Sequence, residues 1–343
     1  MLIDFKAEEA PVLLPAAPKE MISVSTLDDG RRKVRINSSS LDIIQNCMRK
    51  AQLSLFEGWK PEFESPALTF GSAIHAAMEV FYCGSIEERT VPDLEDLERM
   101  VFGHDPCGNS LCERAFAAFL EKAEVLKSLP DGDKRHPTNG AWILHNYFKK
   151  FKDDPYVCYR DVEGPFVERR LEFILHEDSK LIVEYFGTVD MIAQHTTTGQ
   201  LMVMDHKTTS MIAGYGDSGS YFEKDRPNSQ YCGYILAAKR AGIDVDSLAV
   251  NIVEVKARPK TAKGSPPSFP RQITSRDDGD FEEFKDTVVD SVRRYLAAID
   301  SGMWPIGPTG ACNAFSGCTY KQVCGSPRSL RSNVLNAKFK KGI

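Results

Sequence analysis

No apolar run in this 343-residue chain approaches the roughly 18 residues of a membrane span, so no helical anchor and no membrane partner are expected. A secretory signal is also missing. Val12-Leu13-Leu14 is flanked by Pro11, Pro15 and Pro18, and Glu8 and Glu9 precede it. The expected compartment is therefore the cytoplasm, where thiols stay reduced and a disulfide framework does not form. Nor is there an excess of one charge: 43 Lys+Arg against 48 Asp+Glu leave a net −5. That speaks against a polycation coating nucleic acid, while leaving room for local basic grooves. No internal repeat is visible. Apolar content of 42% and charged content of 27% exclude wholesale disorder and low-complexity scaffolds. A chain this long buries a sizeable core without staples. What stands out is nine cysteines, an odd number unevenly spaced.

Residues 1–30 read as a flexible N-terminal arm, because three prolines block helix and Asp28-Asp29-Gly30 signals a turn. Ser38-Ser39-Ser40 offers an N-cap to a helix carrying Leu41, Ile44, Cys47 and Met48. A second helix fits Ala67 to Tyr82. Residues 84–140 read as a helical insertion, and Trp142 to Phe151 as a further helix. The period then changes, and Val167–Leu175, Leu181–Ala193 and Leu201–Asp205 read as strands. Ser229–Ala241 is helical in pattern, Leu248–Val255 strand-like, and Phe281–Ile299 a long amphipathic helix. From Trp304 the chain reads as irregular. The layout is α/β, with one mixed central sheet flanked by helices.

The chemistry concentrates in Gly187-Thr188-Val189-Asp190 and Asp205-His206-Lys207. Adjacent strands would each deliver one acid, and period two puts Asp205 and Lys207 on one face. Paired carboxylates bind hard divalent cations such as Mg²⁺, which polarise a phosphodiester. Asp190 lies in an apolar strand, where an unpaired charge is costly. His75 sits on an otherwise apolar helix, with Glu79 one turn on. By itself His75 reads as a satisfied core histidine, and Glu79 as a partner to it or a helix ion-pair residue. Gln230 and Tyr234 lie one turn apart on their helix, by themselves a helix surface.

In this order, His75, Gly187-x-x-Asp190, Asp205-x-Lys207 and Gln230-x-x-x-Tyr234 resemble the RecB-like nuclease family of the PD-(D/E)XK superfamily, over about residues 38–325. The resemblance implies a restriction-endonuclease-like fold. It makes His75, Asp190, Asp205 and the backbone carbonyl of His206 ligands of Mg²⁺ or Mn²⁺. Lys207 would position the attacking water, and Gln230 and Tyr234 would hold the lysine or the DNA strand. Glu168 and Glu172 stand where some relatives carry an extra acid, but both are read first as structural.

Cys312, Cys318 and Cys324 are separated by five residues each in a glycine-bearing stretch. Coil does not bury three thiols, so metal ligation is the better reading, with a fourth ligand required. Iron–sulphur members of the family, such as the AddB nuclease domain and the CRISPR-adaptation exonucleases, carry one distant N-terminal cysteine. The resemblance thus implies a [4Fe–4S] cluster on Cys47, Cys312, Cys318 and Cys324. The C-x5-C-x5-C spacing departs from the usual C-x2-C-x5-C, which puts Cys312 in question, and zinc is the alternative. The group His104, Cys107 and Cys112 lacks a clear fourth ligand and reads as a loop. Basic residues gather at 31–35, at 256–263 and in a tail over 326–343, where they could contact phosphates. Tyr221, Phe222 and Tyr234 could stack bases.

The domain expectation is a nuclease domain over 31–325, closed by a cysteine region at 304–325. The function expectation is a metal-dependent DNA nuclease, an exonuclease on single strands or DNA ends. It would act in recombination, repair or phage DNA metabolism in a bacterial or phage-infected cell, with recombination or helicase proteins as possible partners. The alternatives are a non-catalytic DNA-binding subunit of a larger complex, a zinc-stabilised RNA-processing enzyme and a CRISPR-adaptation exonuclease.

Overall fold

The computed structural model describes residues 21–62, 65–106, 108–210, 228–260, 264–313 and 317–342. Cys107, Tyr221, Phe222 and residues 1–20 of the expected arm lie outside the described residues. In chain order the elements begin with β1 (Ile22–Thr26), β2 (Arg32–Ile36), α1 (Ser38–Asn46), α2 (Met48–Ala51), β3 (Trp59–Pro61), α3 (Pro66–Cys83), α4 (Leu94–Val101), α5 (Leu111–Ala123) and α6 (Pro137–Phe151). There follow β4 (Tyr156–Cys158), β5 (Arg160–Asp161), β6 (Gly164–Pro165), β7 (Val167–Glu177), β8 (Leu181–His195), β9 (Leu201–Thr209), α7 (Ser229–Arg240), β10 (Ser247–Glu254) and β11 (Arg271–Ser275). The chain closes with α8 (Asp278–Ser301), α9 (Thr309–Asn313), α10 (Lys321–Gly325), α11 (Arg331–Lys338) and β12 (Phe339–Lys341). Among the described residues no helix is long and apolar enough to cross a membrane.

These elements form two compact units, neither continuous in sequence. One comprises Met1–Glu64, Arg170–Gly187 and Asp277–Ile343. In it β1 and β2 form a hairpin, pairing Ile22 with Ile36, and β2 runs parallel to the first part of β8, pairing Arg32 with Leu181. The Asp28-Asp29-Gly30 signal is the hairpin turn: Gly30 takes φ +85° and its N–H donates to Leu27 O. Ile22 to Thr26, expected within a flexible arm, is therefore a paired strand, because the prolines end at Pro18 and the turn lies beyond. Helix α8 starts at an Asp277–Asp280 capping box and stops at Gly302 in the left-handed region. It buries Phe281, Phe284, Val288, Val292 and Tyr295, and Phe284 meets the Tyr185 ring edge-on. The basic segment 326–343 is not a bare tail. Leu335 of α11 is buried with Leu53, Tyr320 and Val323, and β12 pairs antiparallel with β3.

The other unit comprises Ser65–Arg169 and Thr188–Arg276. Ser65 caps α3 and Pro66 opens it. Phe70, Ile74, Met78 and Phe81 of α3 pack with Phe116 and Phe119 of α5 and with Tyr147 and Phe148 of α6. The second part of β8 is antiparallel to β9, β9 is parallel to β10 through the α7 crossover, and β10 is antiparallel to β11. Every residue of β10 is buried, as its near-continuous apolar run requires. The expected insertion carries α4 and α5, whose apolar faces join this core.

Candidate active site

The site lies within the second unit and grows from the end of one ladder. Antiparallel pairs run from Gln194 opposite Leu201 to Met191 opposite Met204. Two residues beyond Met204 on β9, the His206 N–H donates to the side chain of Asp190 at 2.8 Å. A carboxylate thus takes up the backbone donor where the ladder ends. Asp190 Oδ2 also lies 3.4 Å from His75 Nδ1, which α3 presents. Gly71 of α3 explains the close seat of that helix, since a Cβ there would meet Thr208 Oγ1 at 3.2 Å.

Glu168, at the start of β7, completes the group. Its carboxylate is 3.9 Å from His75 Nδ1, too long for a hydrogen bond. Donor atoms of His75, Glu168 and Asp190 all lie within 4.8 Å of one another. Among the described residues Glu168 is the non-glycine residue with positive φ, at +48°. A left-handed backbone costs such a residue about 1–3 kcal/mol and tends to persist where a site uses it. Glu172 differs: Arg35 and Arg170 hold its carboxylate in ion pairs. The sequence left these two acids together; the structure brings Glu168 to the site and gives Glu172 a structural role.

Asp205 is fully buried. Lys207 Nζ donates to its Oδ1 at 2.8 Å, from the same face of β9. Its Oδ2 is buried without a hydrogen-bond partner among the described residues. A buried carboxylate oxygen left unpaired is costly unless a cation meets it. On α7, Gln230 Nε2 donates to Tyr234 Oη at 2.9 Å, so the two expected residues act as one. Tyr234 is buried, and α7 packs on β9 and β10.

The electrostatics follow from this crowding. Burial, and then the charge of Asp205, push the Asp190 carboxyl up to about 6, against the pull of His75 and Lys207. Burial presses His75 down, but Glu168, Asp190 and Asp205 outweigh it, and the net shift is upward. Burial and the nearby Glu168 raise Glu79, which lines the same cleft. Burial, and then His75, hold His206 well below the usual imidazole range. Such a set, several acids and a histidine that resist carrying net negative charge, fits a divalent cation. The unpaired Asp205 oxygen is consistent with the same fit.

Three comparisons bear on this arrangement. A family model described as the PD-(D/E)XK nuclease superfamily matches residues 35–325. A crystal structure of a "Putative exonuclease" from Eubacterium rectale aligns with 87% of this chain and 91% of its own, at 12% identity and a TM-score of 0.45. None of the curated proteins matches.

Proposed function

Since the chain belongs to the PD-(D/E)XK nuclease superfamily, we propose that it is a Mg²⁺- or Mn²⁺-dependent deoxyribonuclease, an exonuclease on single strands or DNA ends. Its place would be in recombination, repair or phage DNA metabolism. The observation that carries the reading is Asp205, fully buried, with one oxygen held by Lys207, the other without a hydrogen-bond partner among the described residues, and its charge acting on both Asp190 and His75. His75, Asp190, Asp205 and the carbonyl of His206 would hold the cation, with Glu168 as a further acid. When bound, the cation supplies Lewis-acid polarisation of the phosphodiester. Lys207 keeps its ammonium at Asp205, where it can orient the water that attacks phosphorus. The Asp190 carboxylate anchors the β9 main chain through His206 N–H. The choice of exonuclease rests on the RecB-like order of the motifs.

In the first unit, the reading places a [4Fe–4S] cluster, with zinc as the alternative, on Cys47, Cys312, Cys318 and Cys324. Cys47 Sγ already accepts two backbone N–H groups, from Lys50 at 3.4 Å and Gly307 at 3.2 Å, donors that suit a thiolate. Gly307 must be glycine, because a Cβ would meet Asn46 O at 2.4 Å. Burial, then the charges of the neighbouring Cys318 and Cys47, push the Cys324 thiol up, and among the described residues no three of the four thiols lie within 4.8 Å of one another. Lys60 and Lys340 stand directly opposite on β3 and β12, with Lys341 over the Trp59 ring at 5.3 Å. Facing like charges disfavour the ribbon unless an anion such as a DNA phosphate sits on it.

The test is oxygen-free purification, iron analysis with absorbance near 400 nm (about that value for iron–sulphur charge transfer), and incubation with labelled DNA or RNA and Mn²⁺. Stepwise shortening of DNA from its ends is expected. Cleavage of RNA alone, or unchanged cleavage by Asp205→Ala, would remove the reading, and a protein with zinc and no iron would decide for the alternative at the cysteines.

A further inference from the structure

Behind the candidate site lies a buried hydrogen-bonded network that the proposed chemistry does not use. Arg271 of β11 donates to both Asp154 oxygens, at 3.1 and 2.7 Å, and to Tyr82 Oη at 2.7 Å. Its Nε donates to Asn251 Oδ1 at 3.2 Å. A guanidinium only donates, so the Asn251 atom facing it must be the oxygen. The orientation of that amide is thereby fixed. Its Nδ2 then meets two acceptors, Tyr147 Oη at 2.6 Å and His206 Nδ1 at 2.9 Å. Asn251 is fully buried and lies beside His206 in the β9–β10 register.

This arithmetic leaves His206 one state. Its Nδ1 accepts, so the ring carries its proton on Nε2; an Nδ1–H would set two donors head to head. The ring stacks on Tyr82 at 5.6 Å and meets His75 edge-on at 6.1 Å. Tyr82 and His75 ride the same helix, while the His206 amide holds Asp190. The network therefore ties the helix that offers His75 to the strand that offers Asp205 and Lys207.

Resting on the active-site reading above, we propose that Asn251 is a positioning residue. Oriented by Arg271, it holds His206 as the Nε2–H tautomer and so fixes the segment Asp205–Lys207 against His75. The first test needs no variant: nitrogen NMR of histidine-labelled protein, with His206 assigned through His206→Gln. An unprotonated Nδ1 is expected; an Nδ1–H would overturn the proposal, whether or not the protein cleaves DNA. The second is Asn251→Asp, which keeps the shape and replaces the donor. For the folded variant we expect His206 to move its proton to Nδ1, Mn²⁺ affinity by calorimetry to fall about tenfold, and kcat to fall at least about tenfold with KM within about twofold. A folded variant with wild-type Mn²⁺ affinity and kcat would sink the idea. Wild-type protein with the expected tautomer but no cleavage of any nucleic acid would instead sink the nuclease reading alone.

Discussion

Strand β8 carries two acids, Glu184 and Asp190, that meet opposite fates. Glu184 is gripped by Lys33 at 2.5 Å and Arg35 at 2.8 Å, and although burial opposes it, these cations hold its carboxyl below the usual range. Asp190 has a histidine, a backbone amide and a second acid nearby, and its carboxyl is pushed up to about 6. One acid is neutralised by the protein itself. The other is left short of positive charge, and that shortage is what the proposed cation would make good.

The contrast breaks most sharply under substitution. Asp205→Ala or Lys207→Ala should cut Mn²⁺-dependent cleavage roughly 10³-fold, as read by single-turnover assay. Glu184→Gln should leave cleavage within about threefold while lowering folding stability by about 2 kcal/mol in urea titration. Similar losses of cleavage for both would erase the distinction.

Next in size is a difference in pH response, measured as urea midpoints of metal-free protein. Asp190 holds its proton up to about 6 when folded, against an ordinary 3.8. Its contribution is therefore fully present below 3.8 and lost as pH rises through about 6. Glu184 has a lowered value against an ordinary 4.5, so its contribution is present above 4.5 and lost as pH falls. Asp190→Asn should accordingly gain stability over wild type at neutral pH and little at pH values near the ordinary carboxyl range. Glu184→Gln should lose most at neutral pH. Parallel profiles would contradict both assignments.

The same comparison can be sharpened on β7. Glu168→Gln should raise the Mn²⁺ concentration for half-maximal cleavage about tenfold, whereas Glu172→Gln should not move it. A comparable effect, on stability rather than on cleavage, is expected in the first unit. Gly307→Ala must displace Asn46 O or Cys47, costing about 1–3 kcal/mol and visible as a lower melting temperature with reduced iron content.

The chemistry was legible where it depends on alternation. Asp205 and Lys207 share a face because strands have period two, and Asp190 was conspicuous as a charge in an apolar strand. Helices α3, α7 and α8 were legible from apolar spacing, while their caps came only with the structure. Glu168 was not singled out, because its role depends on a left-handed backbone that a glutamate does not announce. Asn251 belongs to no motif and drew no reading from the sequence, and only the Arg271 contact gives its amide a direction. β12 escaped notice because its lysines face outward and its pairing with β3 spans most of the sequence.

The discontinuity of the first unit has a consequence for synthesis. β2 needs β8 as a neighbour, and α1 needs α8. At about 5–20 residues per second, the ribosome delivers α8 roughly 15–50 s after β2. The second unit is complete at Arg276, before α8 has emerged. The residues of β1, β2 and α1 are thus made well before they are housed, and a nascent chain stalled near Arg276 would hold a finished second-unit core while that hairpin and helix still wait for α8.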